Sequence, residues 1–302
     1  VFKCLVFQVR RWFSESLSHR FYNRINISVA LSFLMLLVAP NGVQAQSWNV
    51  YGLESAYDDF SDYLSEMGEF SEEDWRVRVG AAVGTTPDFS GSDRYEVKAL
   101  PIFQIRYKDD VWIDPLGIRV KIWNWDCCRL LAQAGISSGR NPSKDSKVFL
   151  LPDVSTGADV GFTFEGQFAK FIAFRLRARH EVAGGHGGLG LSAAVGTIIR
   201  KGPFEFIPEI GAEWKNQTYM NAYYGVPATA TALTGYNAYS PGAGFEEAAV
   251  RLSTFYDMSE KWQLVVRGEA KLLLSEAKNA PFVQQDGDDF QALFGMGVLY
   301  TF

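Results

Sequence analysis

Few residues in this chain of 302 have the type and spacing to do covalent chemistry. Apart from His19 near the start, the imidazoles are His180 and His186. His186 lies inside Gly184-Gly185-His186-Gly187-Gly188, whose glycines supply the unusual dihedrals of a tight connection between strands. A protease-like site would have to bring His186 to an acidic pair such as Asp288-Asp289, and nothing in the spacing places them together. No nucleophile elbow, His-Glu-x-x-His helix, phosphate loop or zinc-type cysteine cluster occurs. Neither an enzyme nor a cofactor or metal site is expected. Cys4 precedes the apolar leader segment. The neighbours Cys127 and Cys128 either close a strained eight-membered disulfide ring in an oxidising compartment or stand as two turn thiols.

The chemistry that recurs is electrostatic. Arg175, Arg177 and Arg179 alternate with Phe174, Leu176 and Ala178, and Glu205, Glu209 and Glu213 alternate with apolar neighbours about thirty positions on. Between them Gly190, Ser192, Ala194 and Gly196 occupy one face of the intervening segment. If all three segments are strands, long cationic and anionic side chains can meet over the small ones as a ladder. That ladder either fills a narrow lumen and stabilises it or lines a selective pore. The tyrosines of the later segment, Tyr219, Tyr223 and Tyr224 with Met220, suit either a binding surface or an aromatic girdle.

The elements that must position these groups follow from periodicity. Residues 25–40 are the one long apolar stretch, shorter than the roughly 20 residues a spanning helix needs. It follows Arg10, Arg11, Arg20 and Arg24 and precedes the small-residue sequence Val43-Gln44-Ala45, so residues 1–45 read as a removed signal peptide. Lys3 and those arginines against Glu15 give the segment a net charge of +4, so the whole-chain charge of −5 leaves −9 on the remainder. An exported acidic chain is a poor nucleic-acid binder. Residues 46–74 form an acidic arm: residues 53–74 carry nine carboxylates, Glu54 to Asp74, with no Lys or Arg, and their apolar positions recur at helical spacing.

From Trp75 onward the period is two. Trp75, Val77, Val79, Ala81 and Val83 alternate with charged or small residues, and similar runs of about 9–13 residues recur to the end. Residues 75–302 therefore read as an all-β, antiparallel, up-and-down transmembrane barrel. Short turns such as Lys108-Asp109-Asp110 and Lys201-Gly202-Pro203 mark the periplasmic side, and long connections near 139–153, 216–246 and 275–288 the exterior. With both ends periplasmic the strand count is even: about twelve if Val111 to Asp114 is a short strand turning at Pro115-Leu116-Gly117, ten if it is not. The last strand places Phe290, Ala292, Phe294, Met296, Val298, Tyr300 and Phe302 on one face up to an aromatic terminus. Phe294, Met296, Val298, Tyr300 and Phe302 resemble the C-terminal signal read by the barrel assembly machinery, which with outer-membrane lipid is an expected partner.

Three motifs carry a family likeness: Pro87-Asp88-Phe89-Ser90-Gly91-Ser92-Asp93, the Gly184 to Gly188 glycine stretch, and Tyr219-Met220-Asn221-Ala222-Tyr223-Tyr224-Gly225-Val226. In this order they resemble the MipA/OmpV family of Gram-negative outer-membrane proteins. That resemblance implies an outer-membrane scaffold that bridges a murein-degrading lytic transglycosylase and a murein-synthesising penicillin-binding protein. It carries over no catalytic residue. The acidic arm and the cysteine pair depart from the pattern. A channel for small solutes or antibiotics is the other expectation.

Overall fold

A computed structural model describes residues 75–302 except 126, 141, 170 and 171. The expected signal peptide and acidic arm lie outside the described residues. Thirteen strands run in chain order: β1 (Trp75–Pro87), β2 (Tyr95–Tyr107), β3 (Val111–Asp114), β4 (Gly117–Asn124), β5 (Cys128–Ser137), β6 (Gly157–Ala169), β7 (Ile172–Ala183), β8 (Leu189–Gly196), β9 (Ile199–Lys201), β10 (Phe204–Lys215), β11 (Gly244–Asp257), β12 (Trp262–Leu273) and β13 (Phe290–Thr301). Each pairs antiparallel with its neighbour, and β13 returns to β1 from Arg78↔Thr301 to Thr85↔Phe294. Because β8 and β9 both lie along β10, they form one interrupted stave. The result is a closed barrel of twelve staves, the larger of the two expected counts. Closure gives each stave two neighbours, which is what a sheet in hydrocarbon requires.

The short piece Val111–Asp114 is a strand because Pro115 and Leu116 turn the chain into Gly117, whose φ of 149° is outside the usual range of other residues. The outward face is apolar and uncovered: Val97 is 73% exposed, Ile210 60% and Phe294 54%. On an ordinary soluble protein such a surface would be anomalous; around a barrel it is the lipid-facing band. Aromatics gather at the end bearing the short turns, with Trp75 against Tyr107, Phe204 against Tyr256, and Trp262 against Tyr300 at centroid distances of 4.6, 4.7 and 4.9 Å. Lys108 and Lys261 lie over the rings of Tyr107 and Tyr300, as stems that reach from the hydrocarbon edge toward water do. Cys127 and Cys128, in the β4–β5 turn, are joined as a disulfide.

The long connections at the other end are not plain loops. The β10–β11 connection holds α1 (Gln217–Tyr224) and α2 (Thr231–Thr234), and the β12–β13 connection holds α3 (Ser275–Lys278) and α4 (Pro281–Asp286). They pack into the largest apolar cluster of the described residues, with Phe89, Val148, Met220, Tyr224, Leu273 and Phe282 at its centre. The apolar core of this barrel is thus at its outer mouth.

Candidate functional site

Strand alternation turns charged side chains inward, and their partners are set by the register. On the β5–β6–β7 wall Glu165 sits between two arginines, with Arg129 at 2.7 Å and Arg175 at 3.3 Å. The Arg129 guanidinium also lies 4.6 Å from the ring centroid of Trp112. Arg177 donates to Thr163 (3.3 Å), which donates to Gln133 (2.7 Å), and Arg179 lies 3.7 Å from Asp159. On the β10–β11–β12 wall Arg251 reaches Glu209 at 3.0 Å and Glu269 at 3.2 Å, Lys271 reaches Glu247 at 2.8 Å, and Lys215 reaches Glu213 at 2.6 Å. Most of these groups are buried, and Gln133, Arg179, Glu213 and Arg251 are half-buried. Ion pairs of this kind persist away from water when several charges share each partner and geometry is close.

The two sets expected to form a ladder face one cavity. Arg175, Arg177, Arg179, Glu209 and Glu213 line a space of about 80 Å³ with Ser192 and Ala194 between them. The ion pairs recorded for Arg175 and Arg179 point back to β6, and that of Glu209 points on to β11. The small residues of β8 lie between the two sets along that space. Glu205 is elsewhere: it bonds Arg200 at 2.7 Å near the rim with the short turns.

At the outer mouth the residues expected as loop contacts are largely enclosed: Met220 and Tyr224 have no exposed surface and Tyr223 very little, while Tyr219 is half-buried and lines the charged cavity. Asn216 starts α1, accepting from the Tyr219 backbone N–H at 3.0 Å, so the apolar positions at i, i+3 and i+4 turn inward. The three quoted motifs meet here. The Tyr224 hydroxyl is 2.8 Å from Ser90 Oγ and donates to Glu246 at 2.7 Å. Phe89 packs edge-on against Phe282 with centroids 5.7 Å apart. Asp88 accepts the Ser143 N–H, tying the β1–β2 loop to the β5–β6 loop. Gly91 has φ 93°, and a methyl there would meet Val283.

His186 belongs to the same cap. Its ring stands edge-on to Tyr219 and Tyr223, at 4.9 and 5.0 Å, and those two rings stack at 4.3 Å. Glu181 accepts the backbone N–H groups of His186 and Gly187 at 2.6 and 2.8 Å. His186 Nδ1 lies 2.8 Å from the Gly188 nitrogen and 3.0 Å from a Glu181 carboxylate oxygen. Burial lowers the pKa of this imidazole against the opposing pull of Glu181. Asp288 and Asp289 serve other contacts, a cap on the Phe290 N–H and an ion pair with Lys278. Beside His186 a cleft of about 720 Å³ opens among the loops, lined by Arg140, Asp153, Asn221 and Tyr239 among others. Arg140 donates to the carbonyls of Tyr223 and Pro152 at 2.7 Å each, and burial lowers its pKa to about 10.

Sequence reasoning missed this cap. Asn216 before a Met220, Tyr223 and Tyr224 stripe, and Pro281 opening α4, were the available signals for helices in the loops. Phe294, Met296, Val298, Tyr300 and Phe302, the residues expected to form an assembly signal, lie on β13 or just beyond it, on the outward face of the stave that closes against β1.

Residues 79–302 match the family model described as MltA-interacting protein MipA. The MltA-interacting proteins of Escherichia coli (strain K12) and Shigella flexneri are each 23% identical over 231 residues, covering 75% of this chain and 90% of theirs. Among solved structures, an outer-membrane channel of Pseudomonas putida F1 has a TM-score of 0.42 at 8% identity, covering 78% of this chain and 98% of that one. The translocator domain of autotransporter NalP from Neisseria meningitidis has a TM-score of 0.36 at 11% identity, with coverages of 85% and 100%. The family match spans most of the barrel and all three motifs of the cap, so this chain belongs to the MltA-interacting protein family, as a β-barrel of the Gram-negative outer membrane.

Proposed function

We propose that this barrel is a scaffold that holds a murein lytic transglycosylase at the inner face of the outer membrane and performs no chemistry itself. The observation that supports it is the cap: a buried apolar core built from loops of four different connections covers the outer mouth, where an open channel would keep water. The names of the E. coli and S. flexneri relatives point to the partner. Bridging to a penicillin-binding protein is the finer form of the same reading. The test is capture of purified MltA by the refolded, immobilised barrel together with planar-bilayer recording of the same preparation. Saturable capture with a silent bilayer is expected; steady single-channel opening with no capture overturns the scaffold.

A channel for small solutes is the second reading, favoured by the charged cavity between Arg177, Arg179 and Glu213. Arg177→Gln tests the cavity itself: a ladder that fills the lumen loses barrel stability, whereas a pore lining keeps its heat-modifiable gel mobility and changes ion selectivity.

A further inference from the structure

A buried cation at the outer mouth has no counter-charge in contact with it. Arg140 follows β5 and is only 6% exposed. Its backbone N–H donates to the Val154 carbonyl at 2.8 Å and its guanidinium to the carbonyls of Pro152 and Tyr223, so two loops hold it in place. Those acceptors are neutral, and no carboxylate of the described residues lies within 4.0 Å of it. Burial brings its pKa down to about 10, against the opposing pull of Tyr223 and Asp153, so the group is charged at neutral pH. Proteins pair buried charges, because a charge left with neutral acceptors alone is costly.

Arg140 lines the cleft of about 720 Å³ beside His186, a size within the roughly 300–1,000 Å³ of clefts that take small ligands. Two backbone bridges outside the staves, Arg140 with Val154 and Val226 with Tyr239, help to frame it. Much of the lining is apolar, including Val154, Ala222, Val226 and Pro227. Ser240 donates to Asn221 at 3.0 Å and Tyr239 to Glu276 at 2.6 Å, so these polar groups are engaged within the protein. The second charge of the lining is Asp153, which is exposed, accepts only from the Ser155 hydroxyl at 3.4 Å, and forms no ion pair with Arg140. The cleft thus presents a fixed buried cation, an exposed carboxylate that does not neutralise it, and an apolar wall. A simple anion entering it meets Asp153 as well as Arg140, whereas a ligand that carries both charges complements both. We propose that this cleft binds a small zwitterion, an apolar α-amino acid or dipeptide, with its carboxylate on Arg140, its ammonium beside Asp153 and its side chain against Val226 and Pro227.

The experiment is calorimetric titration of the refolded barrel in detergent, with heat-modifiable gel mobility as the check of folding. The probes are L-leucine and the dipeptide leucyl-leucine, followed by the amide and the N-acetyl derivative of whichever binds. Saturable binding of at least one probe is expected. The amide lacks the carboxylate and the N-acetyl derivative lacks the ammonium, so each should bind at least about tenfold more weakly. Asp153→Asn should erase the preference for the free ammonium. Ala238→Trp, at an exposed residue of the lining, should abolish binding by filling the cleft; Ala228→Trp does the same from another exposed position if that variant fails to fold. Arg140 itself is left intact, because it also ties two loops together. Absence of saturable binding of both probes up to about 10 mM overturns the proposal, since a cleft with two matched charges should do better than that. So does an N-acetyl derivative that binds as tightly as the free amine, a preference unchanged in Asp153→Asn, or binding unchanged when the cleft is filled. None of these readings depends on whether the barrel captures MltA.

Discussion

Phe282→Ala separates the stability of the cap from that of the barrel. Phe282 has no exposed surface, stands edge-on to Phe89, and lies 6.3 Å between centroids from both Tyr224 and Tyr236. Removing a fully buried ring takes away roughly 200 Å² of apolar contact, about 5 kcal/mol at 25 cal/mol/Å², and measured Phe→Ala costs in well-packed cores are about 3–5 kcal/mol. Apart from Leu273 at the end of β12, the staves do not share that loss, because their lipid-facing side chains lie outside this cluster. The opening equilibrium of the cap should therefore shift by roughly a hundredfold to a few thousandfold, at 1.4 kcal/mol per tenfold. Amide hydrogen exchange resolved by mass spectrometry reads this directly. Amides of Met220 to Tyr224 should exchange faster by that factor, those of β1 and β13 should be unchanged, and gel mobility of the unheated protein should stay that of a folded barrel. Unchanged exchange in α1 would show that the ring carries no cap stability. Equal acceleration in β1 would show that cap and barrel open as one unit; either result refutes the reasoning.

Glu165→Gln leaves Arg129 and Arg175 buried without their shared carboxylate, and loss of one partner from such a network costs roughly 3–5 kcal/mol; the midpoint of heat-modifiability should fall, while Glu205→Gln at the exposed rim pair should leave it nearly unchanged. The His186 pKa lies below its ordinary value because of burial, so the unfolded cap binds the proton more readily than the folded one. Cap stability is then complete above the ordinary histidine pKa of about 6.5 and declines as pH falls below it. Protection factors in α1, taken against the base-catalysed intrinsic exchange rate at each pH, should be smaller at pH 5 than at pH 7.5, and His186→Asn should remove that difference. Met296→Arg puts a cation on the outward face of β13 opposite Val83 and Val266, near mid-wall, and should cost about 2–4 kcal/mol in refolding titrations into bilayers. The same change at Gly295, whose neighbours place it on the inner face, should spare the lipid contact and act through packing instead.

The barrel was legible in the chain because lipid imposes a period of two on every stave. Trp75 to Val83 and Phe290 to Phe302 could not pack otherwise, and Gly117 after Pro115-Leu116 marks the one hairpin too short to show a full period. The break at residues 197–198 that divides β8 from β9 has no comparable mark, since Ile199 resumes the apolar alternation after it. Which side chains face inward was likewise legible at Arg175, Arg177 and Arg179, but partner choice was not. It depends on the register between staves, which places Glu165 beside Arg129 and Arg175 across two ladders and leaves Glu209 to Arg251. The cap escaped for a different reason. Met220, Tyr223 and Tyr224 have helical spacing in a stretch of only eight residues, and what buries them, Phe89, Val148 and Phe282, comes from connections as much as 130 residues away, as the Ser90 to Tyr224 contact shows with a separation of 134.

That separation also bears on what the family motifs are for. Residues brought together from the β1–β2, β7–β8 and β10–β11 connections cannot be held in place by local propensity; they are fixed only when the barrel is closed and all three loops have reached the same mouth. The contacts among Ser90, Tyr224 and Glu246, and among His186, Tyr219 and Tyr223, thus report completed assembly at one end, as the pairing of β13 with β1 does along the wall. All three motifs meet at the outer mouth, and none of them reaches the opposite rim with its short turns.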